Sequence, residues 1–163
     1  MTSATGLALL RLLPALNSTV ILMFAFDEYL FLSRWMKPTY RAQANALLAP
    51  WFAHWLSPAL YVIVGTFCFS FAVSLANIFT YREALQLAGA EKWYWCGFAF
   101  QVAHFLYAPP IMKLLKAIPE DQPKGDVTSS MKKWLRIHLA RTLTTDLPAW
   151  VFFIVAKVSS EPR

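Results

Sequence analysis

Charge is what this chain has least of. Only 15% of its 163 residues are Asp, Glu, Lys or Arg, against about 25% in an average soluble domain. A chain this small has a high ratio of surface to volume, so the shortage leaves too little polar surface for a soluble globule. The same composition excludes disorder, because 58% of the residues are hydrophobic and disordered segments are poor in them. Cysteine is scarce as well. Cys68 and Cys96 both lie in apolar runs and form no CxxC, so no redox pair is expected and each reads as a small buried apolar residue. There is no phosphate-binding glycine loop, no serine nucleophile elbow and no haem attachment motif. No HxxH, HxxxH or ExxH spacing is present, so no metal site is expected.

Aromatic residues are abundant: seven Trp, six Tyr and thirteen Phe. Aromatic belts gather at the headgroup level of a bilayer. The expected fold class is therefore all-α, a polytopic membrane protein forming one four-helix transmembrane domain over residues 1–163. A hydrocarbon core of about 30 Å takes about 20 apolar residues. On that scale the spans fall at about 7–32, 58–79, 93–115 and 134–158. Pro58 to Phe79 carries no charge, and Trp93, Tyr94 and Trp95 open the third span. Arg11, Pro14, Asn17, Asp27 and Glu28 interrupt the first. That segment does not read as a cleaved signal, since it has one early cation, no A-x-A site and two closing acids. The expected loops are 33–57, with a short interfacial helix over Arg41–Leu48, then 80–92, then 116–133, made irregular by Pro119, Pro123 and Gly125.

The net charge of +6 is scattered, with no basic stripe of the kind that follows nucleic acid. In a membrane protein, cations report topology. Loops 33–57 and 116–133 and their adjoining span ends hold Arg34, Lys37, Arg41, Lys113, Lys116, Lys124, Lys132, Lys133 and Arg136. The other side holds Arg11, Arg82, Lys92, Lys157 and Arg163. Nine against five places those two loops in the cytosol, and an endomembrane such as the endoplasmic reticulum is the expected location.

Ionisable groups inside a span are costly and tend to face a bundle interior. The expected span directions bring His54, His104 and His138 into one half of the membrane. At about 100° per residue, His138, Arg141 and Thr145 share a face of the fourth span, with Asp146 at its flank. Tyr94, Gly97, Gln101 and His104 share a face of the third. Asn17 and Glu28 share a face of the first, and Asp27 points about a quarter turn away. Each has a plainer reading. Asp27 and Glu28 could be snorkelling interfacial charges, Arg141 a structural ion pair with Glu28 or Asp146, His104 a hydrogen bond between helices, and His54, beside Trp55, part of the aromatic belt. Convergence at one depth favours a site. A histidine is the natural base near neutral pH, and an arginine can hold the anion that results.

The stretch Trp93-Tyr94-Trp95-Cys96-Gly97-Phe98-Ala99-Phe100-Gln101-Val102-Ala103-His104-Phe105, with Pro109-Pro110-Ile111-Met112 after it, resembles the third span of the anthrone oxygenase family. Trp134-Leu135-Arg136-Ile137-His138-Leu139-Ala140-Arg141 is similar to that family's closing pattern. The resemblance implies a small four-span membrane enzyme, encoded in many cases in fungal secondary-metabolite pathways. It implies oxidation of an anthrone to an anthraquinone by molecular oxygen, with no bound cofactor. His104 or His138 would take the substrate's proton and Arg141 would stabilise the anion. The first span departs from the family, whose members often carry a Ser-Gly-rich segment without acids there. Its Asp27 and Glu28 open a second reading, a non-redox cyclase or isomerase of a terpenoid or polyketide with one of them as general acid. A non-catalytic scaffold subunit is the third. Gln101, His54, Trp55, Thr145, Asp146 and Asn17 are the expected substrate contacts. The expected partners are the bilayer and a hydrophobic small molecule, with a homo-oligomer left open.

Overall fold

The computed structural model describes residues 4–160; Arg163, counted in the cation bias, lies outside them. The long apolar start of the chain forms a single helix, α1 (Ala4–Arg34). Pro14 sits inside it without ending it, as intramembrane helices often allow when neighbours satisfy the freed carbonyls. A short 3-10 turn at Pro38–Tyr40 leads into α2 (Arg41–Phe79). The short α3 (Arg82–Leu87) and α4 (Glu91–Ala103) follow. A 3-10 turn at His104–Tyr107 separates α4 from α5 (Ala108–Ala117). The last passage is α6 (Val127–Arg141), a π-turn at Thr142–Asp146 and α7 (Leu147–Ser159). The described residues contain no strand.

The chain runs back and forth between two apolar clusters. One joins Leu32 of α1, Leu48 and Phe52 of α2, Ile111 of α5 and Met131 and Trp134 of α6. The other joins Ala15 of α1, Ile78 of α2, Tyr94 of α4 and Phe153 of α7. Gly97 lets α4 and α7 approach closely at this second end: a Cβ there would lie 2.6 Å from the ring of Phe153. Tyr94 donates its hydroxyl to the Arg11 carbonyl at 2.8 Å, and Arg11 in turn donates to the Asn77 and Thr80 carbonyls where α2 ends. The outer face is apolar, with Val20, Met23, Phe26 and Phe31 of α1 more than half exposed.

Three continuous helical stretches are long and apolar enough to cross a membrane: Ala4–Arg34, Pro38–Phe79 and Val127–Ser159. The expected third span, 93–115, is helical throughout but changes to a 3-10 turn at His104–Tyr107. Pro109 and Pro110 have no N–H to return to the carbonyls of Phe105 and Leu106, and the helix tightens into the 3-10 turn just before them. The expected loop 33–57 also needs correction. Residues 41–57 belong to α2, which at 1.5 Å per residue is about 58 Å long, well beyond the ~30 Å hydrocarbon core. Packing explains this. Ala44, Leu48 and Phe52 are fully buried, and the last two share the first cluster with Val127 and Met131 of α6. Asn45 of α2 also accepts the Thr128 backbone N–H at 3.1 Å, capping the start of α6 from a neighbouring helix. Beside it the Thr128 hydroxyl and then Arg41 hold the Asp126 carboxyl below the usual carboxylate range. Loop 118–126 is irregular, as its prolines and glycine predict.

Candidate active site

Between the two apolar clusters lies a polar layer. Its residues come from segments where regular helix is interrupted. On α1, Glu28 is buried and Asp27 is exposed, the consequence of the quarter turn between them. The 3-10 turn begins at His104, whose Nδ1 lies 2.7 Å from Asp146 Oδ1. On the last passage, Thr142, Thr144 and Thr145 each donate a hydroxyl to the carbonyl four residues back, at 2.9, 2.7 and 2.7 Å. Such back-bonding loosens a helix, and Pro148 removes the N–H that would close the next turn. The result is the π-turn. Its i to i+5 repeat stacks Asp146 over Arg141, whereas regular helix would leave it at the flank.

Asp146 therefore joins two partners. It accepts from His104 Nδ1–H, and its second oxygen lies 3.5 Å from Arg141 Nε. That second distance brings the charges together without a hydrogen bond. Arg141 Nη2 donates to His138 Nδ1 at 3.1 Å. His138 Nε2 must then carry the proton, because its neighbour at 2.8 Å is the Ala25 carbonyl, which only accepts. Glu28 Oε2 stands 3.6 Å from His138 Nδ1. Trp134 stacks on the His138 ring at 4.7 Å between centroids, and Phe67 covers His104 at 4.2 Å. The rings of both histidines are thus fixed by packing as well as by hydrogen bonds.

Three side-chain atoms of this layer, Glu28 Oε1, Arg141 Nε and Asp146 Oδ2, are buried with no hydrogen-bond partner among the described residues. Arg141 Nε and Asp146 Oδ2 face each other as an ion pair, while Glu28 and Arg141 line a cavity of about 140 Å3 together with Trp55, His104, Ile111 and Trp134. A narrow tip of about 20 Å3 continues past Glu28, His104 and Arg141 to Phe24 and Phe67. Buried polar groups are almost always hydrogen-bonded, and Glu28 Oε1 at this cavity makes the layer the candidate site. With Nδ1 engaged by Asp146, His104 has Nε2 left to accept a proton. This is the oriented-base arrangement of carboxylate–histidine pairs.

Three of the other expected contacts, His54, Asn17 and Gln101, lie elsewhere. His54 is exposed on α2. Asn17 donates to the Thr66 carbonyl at 3.0 Å, and Gln101 is held between Ser70 and Ser74; both join helices and neither lines the cavity. Thr145 is buried beside Asp146, 3.3 Å from its Oδ1. Sequence reasoning passed over Phe67 and the role of Trp134. Among the described residues, no three His, Cys, Asp or Glu side chains are gathered as a metal ion would need.

Similarity to known proteins bears on what this site does. Over 157 residues the chain is 41% identical to "Probable epoxidase scpX" of Mollisia scopiformis, covering 96% of this chain and 99% of that protein. It is 39% identical to "Epoxidase pydX" of an Acremonium species, covering 96% and 97%. The chain belongs to the family of these fungal epoxidases. A third member, "Epoxidase gkaX" of Penicillium citrinum, is 36% identical over 98% of this chain and 99% of its own. No family model matches the chain, and no solved structure does. The kinship supports an oxygenase-type enzyme of fungal secondary-metabolite biosynthesis. The anthrone resemblance read from the motifs agrees at that level, while the relatives' names specify epoxidation.

Proposed function

We propose that this protein is a membrane-embedded oxygenase of secondary metabolism that uses molecular oxygen on a hydrophobic, phenolic or anthrone-like polyketide, without a bound cofactor. The observation that carries this reading is the His104–Asp146–Arg141 arrangement at the wall of an apolar cavity. His104 Nε2 takes the acidic proton of the substrate, with Asp146 stabilising the imidazolium that forms. Arg141 holds the resulting phenolate or enolate in a site of low dielectric, where a fixed cation acts strongly. The substrate anion gives its electrons to oxygen and forms a hydroperoxide on carbon. Loss of water from that group leaves a ketone, the anthrone outcome. Alternatively the adjacent enol carbon attacks the carbon-bound oxygen of the hydroperoxide, the O–O bond breaks, and an epoxide forms as hydroxide leaves and is protonated to water. In the second case a hydroquinone plus oxygen gives a quinone epoxide plus water. Both balances close because the substrate supplies all four electrons.

The charge count suits such chemistry. Glu28 and Asp146 oppose the single Arg141, so one further proton makes the buried layer neutral, and burial disfavours any net charge. Glu28 and His104 Nε2 are the places open to that proton, because both ring nitrogens of His138 are engaged. A cyclase reading is favoured by one observation, the unpartnered Glu28 Oε1 at the cavity, from which a carboxylic acid could protonate a substrate. The cation bias supports a cytosolic position for the Lys132 and Lys133 end of the bundle, with an endomembrane such as the endoplasmic reticulum as the proposed location.

The test uses membranes containing the protein, incubated with the pathway intermediate that accumulates when its gene is deleted. Turnover under air, none under nitrogen, and loss in Arg141→Ala at matched abundance are the expected results. Equal turnover under nitrogen overturns the oxygenase reading in favour of the cyclase.

A further inference from the structure

The cavity beside Arg141 is too small for a whole polyketide. About 140 Å3 is close to the volume of an engineered core cavity that holds benzene, ~150 Å3, while sites that enclose drug-sized ligands run to ~300–1,000 Å3. One ring fits; three fused rings do not. Outside it an open, shallow groove runs along one helix face, lined by Ala53, Leu56, Ser57, Leu60, Tyr61 and Val64. All six are on α2, at helical spacings of three and four that put them on one face. Tyr61 is 80% exposed, so the groove is open to the outside. Two side chains, Leu56 and Leu60, line both the groove and the inner cavity. They stand one turn apart and form the neck between the two.

Resting on the oxygenase reading above, we propose that substrate reaches the site sideways from the bilayer through this α2 groove. Only a ring-sized end passes Leu56 and Leu60, and the apolar remainder stays in the groove. Of the phenolic and anthrone-like substrates that the reading above admits, this selects the phenolic: an elongated molecule with one acidic hydroquinone-like ring at its end, not a compact polycycle such as an anthrone. The continuity of groove and cavity carries the inference, together with the mismatch between the inner volume and any complete natural product. The groove starts beside Trp55 at the end of the apolar segment and runs into it at Leu60, Tyr61 and Val64, so a tail lying there is next to the acyl chains in which it is already dissolved. Moving it into the groove then requires no passage through water.

The experiment uses the full chain in lipid nanodiscs and a 4-dodecylphenol probe carrying a diazirine midway along its alkyl chain. Irradiation and peptide mass spectrometry are expected to place the label on the Ala53–Val64 face of α2. Leu60→Trp, which fills the neck, is expected to lower that labelling and the oxygen-dependent turnover at least tenfold each. Val151→Trp, on the exposed outer face of α7, serves as the control and changes neither. Because Leu60→Trp could also disturb folding, Leu60→Ala is the companion. By widening the neck, it raises labelling by a naphthol of the same chain length relative to the phenol by about fivefold. Labelling on another helix overturns the portal. So does labelling that persists in Leu60→Trp while oxygen-dependent turnover is intact, and that result leaves the Arg141 site standing. Turnover that needs no oxygen removes the oxygenase reading itself, and the portal falls with it.

Discussion

Replacing Asp146 by asparagine tests the polar layer at its centre. The change keeps side-chain shape and removes one charge. Asp146 receives His104 Nδ1–H at 2.7 Å and faces Arg141 Nε at 3.5 Å. At 3.5 Å and an effective dielectric of about 20, two unit charges attract by about 5 kcal/mol before desolvation is counted. Desolvation offsets much of that, and removing one partner of a buried pair typically costs about 3–5 kcal/mol. Glu28 remains as a second carboxylate in the layer, and the asparagine oxygen can still accept from His104. The stability loss is therefore expected just below that range, about 2–3 kcal/mol, read as a fall in the thermal midpoint in detergent. The loss in turnover is expected to be larger than folding alone explains. An uncharged partner no longer stabilises the imidazolium, and the corresponding change in a catalytic triad costs about 10⁴-fold in rate. A fall of about 10²- to 10⁴-fold, per folded molecule by fluorescence size-exclusion, is the expected outcome. Asp146→Asn with wild-type turnover at equal abundance refutes the assignment of His104 as the oriented base.

Other positions separate the site from the scaffold. Glu28→Gln is expected to slow turnover at least tenfold, whereas Asp27→Asn, on the exposed side of α1, leaves it within twofold; product per protein by mass spectrometry decides, and equal effects contradict the placement. Gly97→Ala puts a methyl against the fully buried Phe153 ring and is expected to cost about 1–3 kcal/mol by overpacking, seen as a lower thermal midpoint. Asn45→Ala removes the cap that α2 provides to α6 and is expected to cost about 1 kcal/mol; an unchanged midpoint shows that the N–H of Thr128 finds another acceptor.

Much of this arrangement is legible in the sequence because helical period and burial cost speak clearly inside apolar stretches. The separation of Glu28 from Asp27 follows from a rotation of 100° per residue, and the polar residues at 104, 138 and 141 lie in one layer. What the sequence obscures comes from departures from regular helix. A uniform helix leaves Asp146 off the face of Arg141, and only the π-turn brings it over. The signal was present as three threonines ahead of Pro148, but it concerns backbone hydrogen bonding rather than apolar pattern. Pro109-Pro110 similarly marks the 3-10 turn that presents His104. Residues 41–57 read as a loop because the span was sized to a bilayer, yet α2 continues to pack on α6 beyond that length. His54 shows the opposite error: depth alone grouped it with the site, but its position on α2 turns it outward.

The central claim is that the buried layer around Arg141 directs molecular oxygen onto a hydrophobic substrate. Incubating the membranes with the accumulating intermediate under ¹⁸O₂ in ordinary water, then weighing the product, tests it most directly. The account predicts one ¹⁸O atom in the new ketone or epoxide and none when the label is supplied as H₂¹⁸O to a non-exchanging epoxide product. A product of unchanged mass under ¹⁸O₂ contradicts it.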